Sequence, residues 1–362
     1  MLFFEIHPDI HKAQTLPAEA YRSHALYEDI QEKILARSWQ LCGTRTELAE
    51  PVTAVPKIFL PGSVHEPLLL TRAAHNQLHC HSNVCTHRGS LLLDRPSETR
   101  FIRCPYHNRC FDLNGHCRSA SGFEDVADFP RAQDHLPRLP LEDWHGFLFA
   151  ALDPLMPFAD WIEPVQARLG WVPWKHFQYQ SSQDFVADVN FMLYIDNYLE
   201  GFHIPYVHPG LKQVLDPEHY ETTPLEWGVL QTGFAATPDV PVFDLPSFHP
   251  DAGQQVAAYY FWLFPNLMFN LYPWGLSLNL ILPEGLNRTR IHYQTWLWKS
   301  ELLHQGAGAG LDQVEQEDQA IIARVQQGIR SRLYQRGRYA PTQEVGVHHF
   351  HRLLAHALHA GT

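Results

Sequence analysis

Basic residues are scarce in this chain: 27 Lys and Arg stand against 39 Asp and Glu, a formal charge of -12 over 362 residues. They form no cluster, which argues against nucleic acid or an anionic membrane surface as the main partner and favours small molecules. Cysteine is sparse and unevenly placed, with all six (Cys42, Cys80, Cys85, Cys104, Cys110, Cys117) in the first third. That placement suits a local metal site and not a disulfide framework spread over the fold. No repeat and no low-complexity segment is present. The start, MLFFEIHPDIH, lacks a basic segment followed by a long apolar one, so the expectation is no secretory signal and a cytoplasmic setting with reduced thiols. Residues 252–283 carry no charge. Pro265, Asn266, Asn270, Pro273, Gly275 and Asn279 interrupt them, so buried strands are expected there and not a membrane span.

The chain is long enough for two domains with cores of their own. Helical periodicity runs from Ser23, a plausible N-cap, to Arg37 through Ala25, Tyr27, Ile30, Ile34 and Leu35. Short strands broken by Pro, Gly and Asn turns follow: Leu68–Thr71, Leu78–Asn83, Phe101–Cys104 and Gly146–Ala150. The Pro- and Trp-rich stretch 153–174 reads as a boundary. Beyond it come a helix near 190–204, aromatic strands over about 257–298, and helices over about 311–334 and 344–358. The expected fold class is α+β, in three segments: an N-terminal helix (1–37) packing on the last domain, a β domain (38–155), and an α+β domain (156–362) with a sheet packed against helices.

Cys85-Thr86-His87 and Cys104-Pro105-Tyr106-His107 fall in loops of the β domain. One Cys and one His in each pair is the ligand pattern of a Rieske [2Fe–2S] cluster, where two thiolates hold one iron and two imidazoles the other. Cys2His2 also suits structural zinc, but zinc sites usually place Cys with Cys and His with His. Gly89 and Pro105 supply tight turns that let backbone amides point toward sulfur.

The segment 177–210 contains no Lys or Arg, yet carries Asp196, Asn197, Glu200, His203 and His208. Phe191, Tyr194, Ile195, Tyr198 and Phe202 form the expected apolar side of its helix. Carboxylates in such company need a partner, and a metal, or a histidine bound to one, would serve. Pro205 is expected to end the helix, so that His208 returns from a loop. Two His and one carboxylate form the facial triad of non-haem Fe(II) oxygenases. The late helix offers Asp312, Glu315, Glu317 and Asp318. Its apolar residues Leu311, Val314, Ile321, Ile322, Val325 and Ile329 define a face; at about 100° per residue Asp318 lies near its centre, Glu315 at its edge, and Asp312 and Glu317 point away. Asp318 is the expected ligand.

On these residues, with Arg88-Gly89 after the first pair, the chain resembles the oxygenase (alpha) component of Rieske non-haem iron oxygenases. Asp196-Asn197-Tyr198-Leu199-Glu200 and Tyr260-Phe-Trp-Leu-Phe-Pro-Asn resemble the choline-monooxygenase-like branch of the ring-hydroxylating oxygenases. Respiratory Rieske proteins carry a disulfide across the cluster loops; here Ser90 fills the first of its two positions. A second departure is Asn108-Arg109, where the resemblance leads one to Gly-Trp.

The resemblance implies a Rieske β domain inserted into a helix-grip catalytic domain with an antiparallel sheet and flanking helices. It implies a [2Fe–2S] cluster on Cys85, His87, Cys104 and His107, and a mononuclear Fe(II) on His203, His208 and Asp318, with O2 as cosubstrate. It also implies a head-to-tail homotrimer in which Glu200, with Asn197 beside it, connects His203 to His107 of the neighbour. Neither a plant-type ferredoxin motif nor a credible dinucleotide fingerprint is present, so electrons from NADH or NADPH must arrive through a separate reductase or ferredoxin.

Trp262, Phe264, Tyr272, Trp274, Trp296 and Trp298 offer walls for a quaternary ammonium group or an aromatic ring. The expected reaction is hydroxylation or N-demethylation of a small amine, with aromatic ring hydroxylation, or a non-catalytic Rieske electron carrier, as alternatives. Gly306–Gly310 is expected to be a flexible connector, not a phosphate loop. The histidines 348, 349, 351, 356 and 359 are expected in a packed or solvated terminal helix.

Overall fold

A computed structural model describes residues 4–359; the outermost residues of the first and last expected segments, 1–3 and 360–362, lie outside the described residues. Two compact units divide the chain, one formed by residues 35–158 and the other by 1–34 with 159–362. The first is therefore inserted in the sequence of the second.

The inserted unit is built of short antiparallel strands: β1 (Gln40–Thr44), β2 (Ala54–Phe59), β3 (Glu66–Arg72), β4 (Leu78–Ser82), β5 (Phe101–Arg103), β6 (Cys110–Asp112), β7 (Cys117–Ser119), β8 (Arg138–Leu139), β9 (Leu141–Trp144) and β10 (Phe147–Ala150). They form sheets ordered β1-β10-β9, β2-β3-β4-β8 and β5-β6-β7. Cys85 and Cys104 are buried in one core with Leu69, Leu92, Ile102, Phe111 and Leu136. No disulfide joins any of the six cysteines.

In the larger unit, Ser23 caps α1 (His24–Ile30) by accepting from the Leu26 N–H at 3.2 Å. The α-helix stops short of the expected Arg37 and continues as a π-turn over Gln31–Leu35. The boundary stretch is not irregular. It contains α2 (Phe158–Leu169), which tolerates Pro164 and buries Trp161, Ile162, Val165 and Leu169.

A seven-stranded antiparallel sheet follows: β11 (Gln178–Ala187), β12 (Glu221–Leu225), β13 (Gly228–Phe234), β14 (Val256–Leu263), β15 (Leu267–Tyr272), β16 (Gly275–Gly285) and β17 (Arg288–Leu297), in the order β11-β17-β16-β15-β14-β13-β12. The uncharged run is thus strands and turns, and no helix among the described residues is long and apolar enough to cross a membrane. On the sheet pack α3 (Phe191–Tyr198), against β16, and, past the short helices α4 (Ile204–Val207) and α5 (Leu211–Val214), α7 (Val345–His359), against β12 and β13; α6 (Leu311–Gly328) packs on α3.

Several expectations are corrected. The helix near 190–204 ends at Tyr198, well before Pro205, which instead sits in the first turn of a second, short helix, Ile204–Val207, because a proline lacks only a donor that the first turn leaves unpaired anyway. Phe202 is 45 % exposed, since its segment lies past the helix. On α6 the buried face runs through Glu315, Ile322 and Gln326, while Val325 is 44 % exposed. Gln326 is buried because its amide bonds the Asn190 N–H (2.7 Å) and the Asn287 side chain (3.0 Å), so apolarity alone misplaced the face. Gly306–Gly308 is no loose connector: Ala307 and Gly308 are buried, and a Cβ on Gly308 would come 2.1 Å from Trp274 Nε1. The terminal helix is packed, with His348 and His351 buried.

Candidate metal centres

In the inserted unit two loops close in the same way. The Cys85 N–H donates to the Ser90 carbonyl (2.8 Å) and the Gly89 N–H to the Cys85 carbonyl (3.0 Å); the Cys104 N–H donates to Arg109 (2.8 Å) and the Asn108 N–H to Cys104 (3.0 Å). Each turn requires a left-handed residue at its fourth step, supplied by Gly89 (φ 69°) and Asn108 (φ 58°). Asparagine tolerates that conformation better than most residues, so the first half of the Asn108-Arg109 departure leaves the loop intact.

These turns direct the His87 N–H at the Cys85 sulfur, and the Tyr106 and His107 N–H groups at the Cys104 sulfur. Burial alone would raise the Cys104 thiol, yet the two amides, with the Cys85 and Ser90 side chains, hold it below its usual value. The His87 and His107 rings lie 4.9 Å apart, centroid to centroid, with His107 exposed. Two buried thiols met by backbone donors and two adjacent imidazoles turned outward form a donor set that fits a [2Fe–2S] cluster.

In the larger unit, Asn190 caps α3 by accepting from the Met192 N–H (3.0 Å), and that helix presents Asn197. His203 and His208 flank the short helix Ile204–Val207. Their Nε2 atoms lie 3.1 Å apart; Asp318 Oδ1 is 3.0 Å from that of His208 and 3.5 Å from that of His203. Ligand bonds of about 2.1 Å at right angles put donor atoms about 3 Å apart, so this triangle fits one octahedral face around a metal ion. The three residues are the one such group found among the described residues.

Carboxylates fix both rings from behind. Glu200 Oε1 lies 2.7 Å from His203 Nδ1, and Glu317 Oε2 lies 2.8 Å from His208 Nδ1. Each Nδ1–H is thereby engaged, which leaves both Nε2 lone pairs facing the same point. Asn197 Nδ2 donates to Asp318 Oδ1 (2.6 Å) and orients the third donor. Burial disfavours a charged His208, but Asp318 and Glu317 outweigh it and raise its pKa; His208 in turn lowers Glu317.

Glu317, expected to point away, is thus one of the two acids behind the imidazoles. No nearby residue signals this, because its partner is distant in sequence; the one available hint is that a second histidine ligand needs a second acid. Asp196 needs no metal: His351 Nε2 lies 2.8 Å from it and the Tyr21 hydroxyl donates to it at 2.7 Å.

A cavity of about 790 Å³, its open mouth included, opens at the triad. Six tyrosines line it (Tyr194, Tyr198, Tyr220, Tyr260, Tyr272 and Tyr293), together with Glu315 and the neutral polar Gln231, Asn270, Ser277 and Asn279; no Lys or Arg does. Of the expected aromatic walls only Tyr272 is present. Trp296 lies on the face opposite Tyr293, paired with Tyr179, since side chains alternate along a strand. Trp262 packs on Phe350 of α7, and Trp274 beneath Ala307 and Gly308. Glu315 is 2 % exposed and accepts from the Tyr194 and Tyr293 hydroxyls and from Gln319 (2.7 Å). Burial raises its pKa against the pull of these donors.

Residues 171–360 match the catalytic domain of the ring hydroxylating alpha subunit, and residues 49–130 match the Rieske [2Fe-2S] domain. The carnitine monooxygenase oxygenase subunit of Escherichia coli (strain K12) is 29% identical over 360 residues, covering 95% of this chain and 94% of that protein. The chloroplastic choline monooxygenase of Beta vulgaris is 27% identical, covering 99% and 80%. A solved quaternary ammonium Rieske monooxygenase, described with carnitine oxidation by gut microbiota and inter-subunit electron transfer, superposes with a TM-score of 0.76 at 26% identity over 97% of this chain and 96% of that one.

Proposed function

The chain belongs to the ring hydroxylating alpha subunit family, and from that premise we propose that it oxidises a small quaternary or tertiary ammonium compound beside a mononuclear Fe(II) held by His203, His208 and Asp318. It is the oxygenase component of a Rieske non-haem iron system, an oxidoreductase that uses O2 and draws on an external electron supply. When bound, the cluster passes single electrons and the Fe(II) activates O2.

The cavity carries the substrate reading. Six tyrosines give a cation the faces and hydroxyl oxygens it favours, no Lys or Arg lines the wall to repel it, and a bound ammonium group would in turn favour the ionised form of the buried Glu315 carboxyl. For the same reason the favoured substrate is an ammonium ion with a neutral tail, since a carboxylate would find no cationic side chain in the wall. In the reaction Glu200 and Glu317 keep the imidazoles in the ligating tautomer, and Asn197 holds Asp318 in place.

The inter-subunit electron transfer described for one solved relative supports a homotrimer in which Glu200, on the His203 ring, meets His107 of a neighbouring copy. Electrons originate from NADH or NADPH through a separate reductase or ferredoxin, and the setting is cytoplasmic. Substrate-stimulated O2 uptake with a surrogate reductase tests the substrate reading: choline and dimethylaminoethanol should stimulate most, carnitine and glycine betaine less. Stimulation by simple aromatics alone would replace it with ring hydroxylation. Mixed oligomers of Cys104→Ser and His208→Ala chains test the route, because each chain is dead alone and the mixture regains turnover only if electrons cross between copies.

A further inference from the structure

Arg109 is the second half of the departure beside the second cluster pair. It is 2 % exposed, an unusual burial for a guanidinium. Its two terminal nitrogens donate to Thr86 Oγ1 and Asp134 Oδ1, both at 3.0 Å, and its plane sits 4.9 Å from the Phe123 ring centroid and 5.0 Å from that of Phe129. Thr86 stands between Cys85 and His87, and its hydroxyl donates onward to the Asp134 carbonyl (2.8 Å). The Arg109 carbonyl itself closes the second loop by accepting from Cys104. One side chain rooted in the second ligand loop therefore grips the first, and Asp134 completes the clamp.

The clamp is polar in a defined direction. The guanidinium donates into the first ligand loop at Thr86, between Cys85 and His87, whereas the Asp134 carboxylate accepts from its other terminal nitrogen. Asp134 is also drawn off toward the Arg131 N–H (2.8 Å). The positive end of the pair faces the ligand loops. A fixed cation in a low-dielectric setting favours the state that carries one more electron, and net charge is one of the levers that set an iron–sulfur potential.

We propose that Arg109 is a positioning residue that ties the two ligand loops together and raises the midpoint potential of the cluster, with Asp134 as the counter-charge that limits the rise. This rests on the assignment of the cluster to Cys85, His87, Cys104 and His107. The test is a redox titration of the full-length, cluster-loaded chain at one fixed pH, followed by visible absorption and circular dichroism, with iron and acid-labile sulfide measured on each sample.

Asp134→Asn should titrate above the unaltered chain, Arg109→Met below it, and Arg109→Lys, which keeps the charge, nearer to it than Arg109→Met. A residue that only packs would not move two partners in opposite directions. Asp134→Asn at or below the unaltered chain overturns the proposal, as does Arg109→Met at or above it, or Arg109→Lys falling with Arg109→Met. Should Arg109→Met lose its sulfide, Asp134→Asn alone decides the sign. Absence of sulfide from the unaltered chain would instead remove the cluster assignment itself.

Discussion

The two metal-binding regions are assembled in opposite ways. The cluster loops carry all four ligands in two short pairs, each on a turn closed by its own backbone, and the residues that join them, Thr86, Arg109 and Asp134, lie within the same inserted unit. The triad draws its third donor from a helix more than a hundred residues away, and each of its histidines is held by a different acid, Glu200 from the preceding turn and Glu317 from α6. Local construction makes a site that stands or falls with its turns. Distributed construction makes one whose geometry depends on how α3, α6 and the sheet pack.

The contrast is broken most severely by removing a ligand. Cys104→Ser should abolish the cluster's visible spectrum and substrate oxidation while the chain still binds one Fe(II) per copy, measured by metal analysis; loss of that ion as well would mean that the centres are not independent. Next in size, Glu200→Gln and Glu317→Gln should each lower Fe(II) affinity or turnover about 10–100-fold, the usual cost of deleting a hydrogen-bond partner behind a ligand. Glu317→Gln should act through metal retention, read by competition with a chelator, with the cluster spectrum unchanged.

A smaller effect separates metal site from cavity. Glu315→Gln should weaken binding of an ammonium substrate about tenfold, read as the concentration giving half-maximal O2 uptake, with iron content unaltered, because a neutral amide keeps the tyrosine contacts but not the charge. Equal weakening for a neutral isostere of the same shape would assign Glu315 a packing role.

The smallest effect is on pH. In the metal-free chain His208 has a raised pKa, so its pairing with Asp318 and Glu317 stabilises the fold below the unfolded-state value and is lost as pH rises through the raised one. The melting temperature of the metal-free chain should therefore fall as pH climbs through and above the ordinary histidine range, while Fe(II) uptake, which displaces that proton, improves over the same interval. Asp318→Asn should flatten the stability trend.

Legibility follows the same division. The cluster ligands are plain in the sequence because spacing along one turn is information the chain carries locally. His203, His208 and Asp318 could be named because a carboxylate beside apolar neighbours on a helix demands a reason. Glu317, Arg109 with Asp134, and the tyrosine walls other than Tyr272 could not, since each gains its meaning from a partner across the fold. The α6 face shows the limit most clearly: Glu315 and Gln326 are buried because Tyr194, Tyr293, Asn190 and Asn287 satisfy them, and hydropathy alone cannot anticipate a satisfied polar group. The end of the helix at Tyr198 and the start of another at Ile204, with Pro205 in its first turn, were likewise hidden, because proline is equally at home after one helix and at the head of the next.

Iron and acid-labile sulfide counted on the purified full-length chain and on His203→Ala test the two-centre account most directly. About three irons and two sulfides per chain are expected, falling to about two irons and two sulfides in the variant with the cluster spectrum intact. About two irons in both proteins, or loss of sulfide together with the third iron, would contradict it.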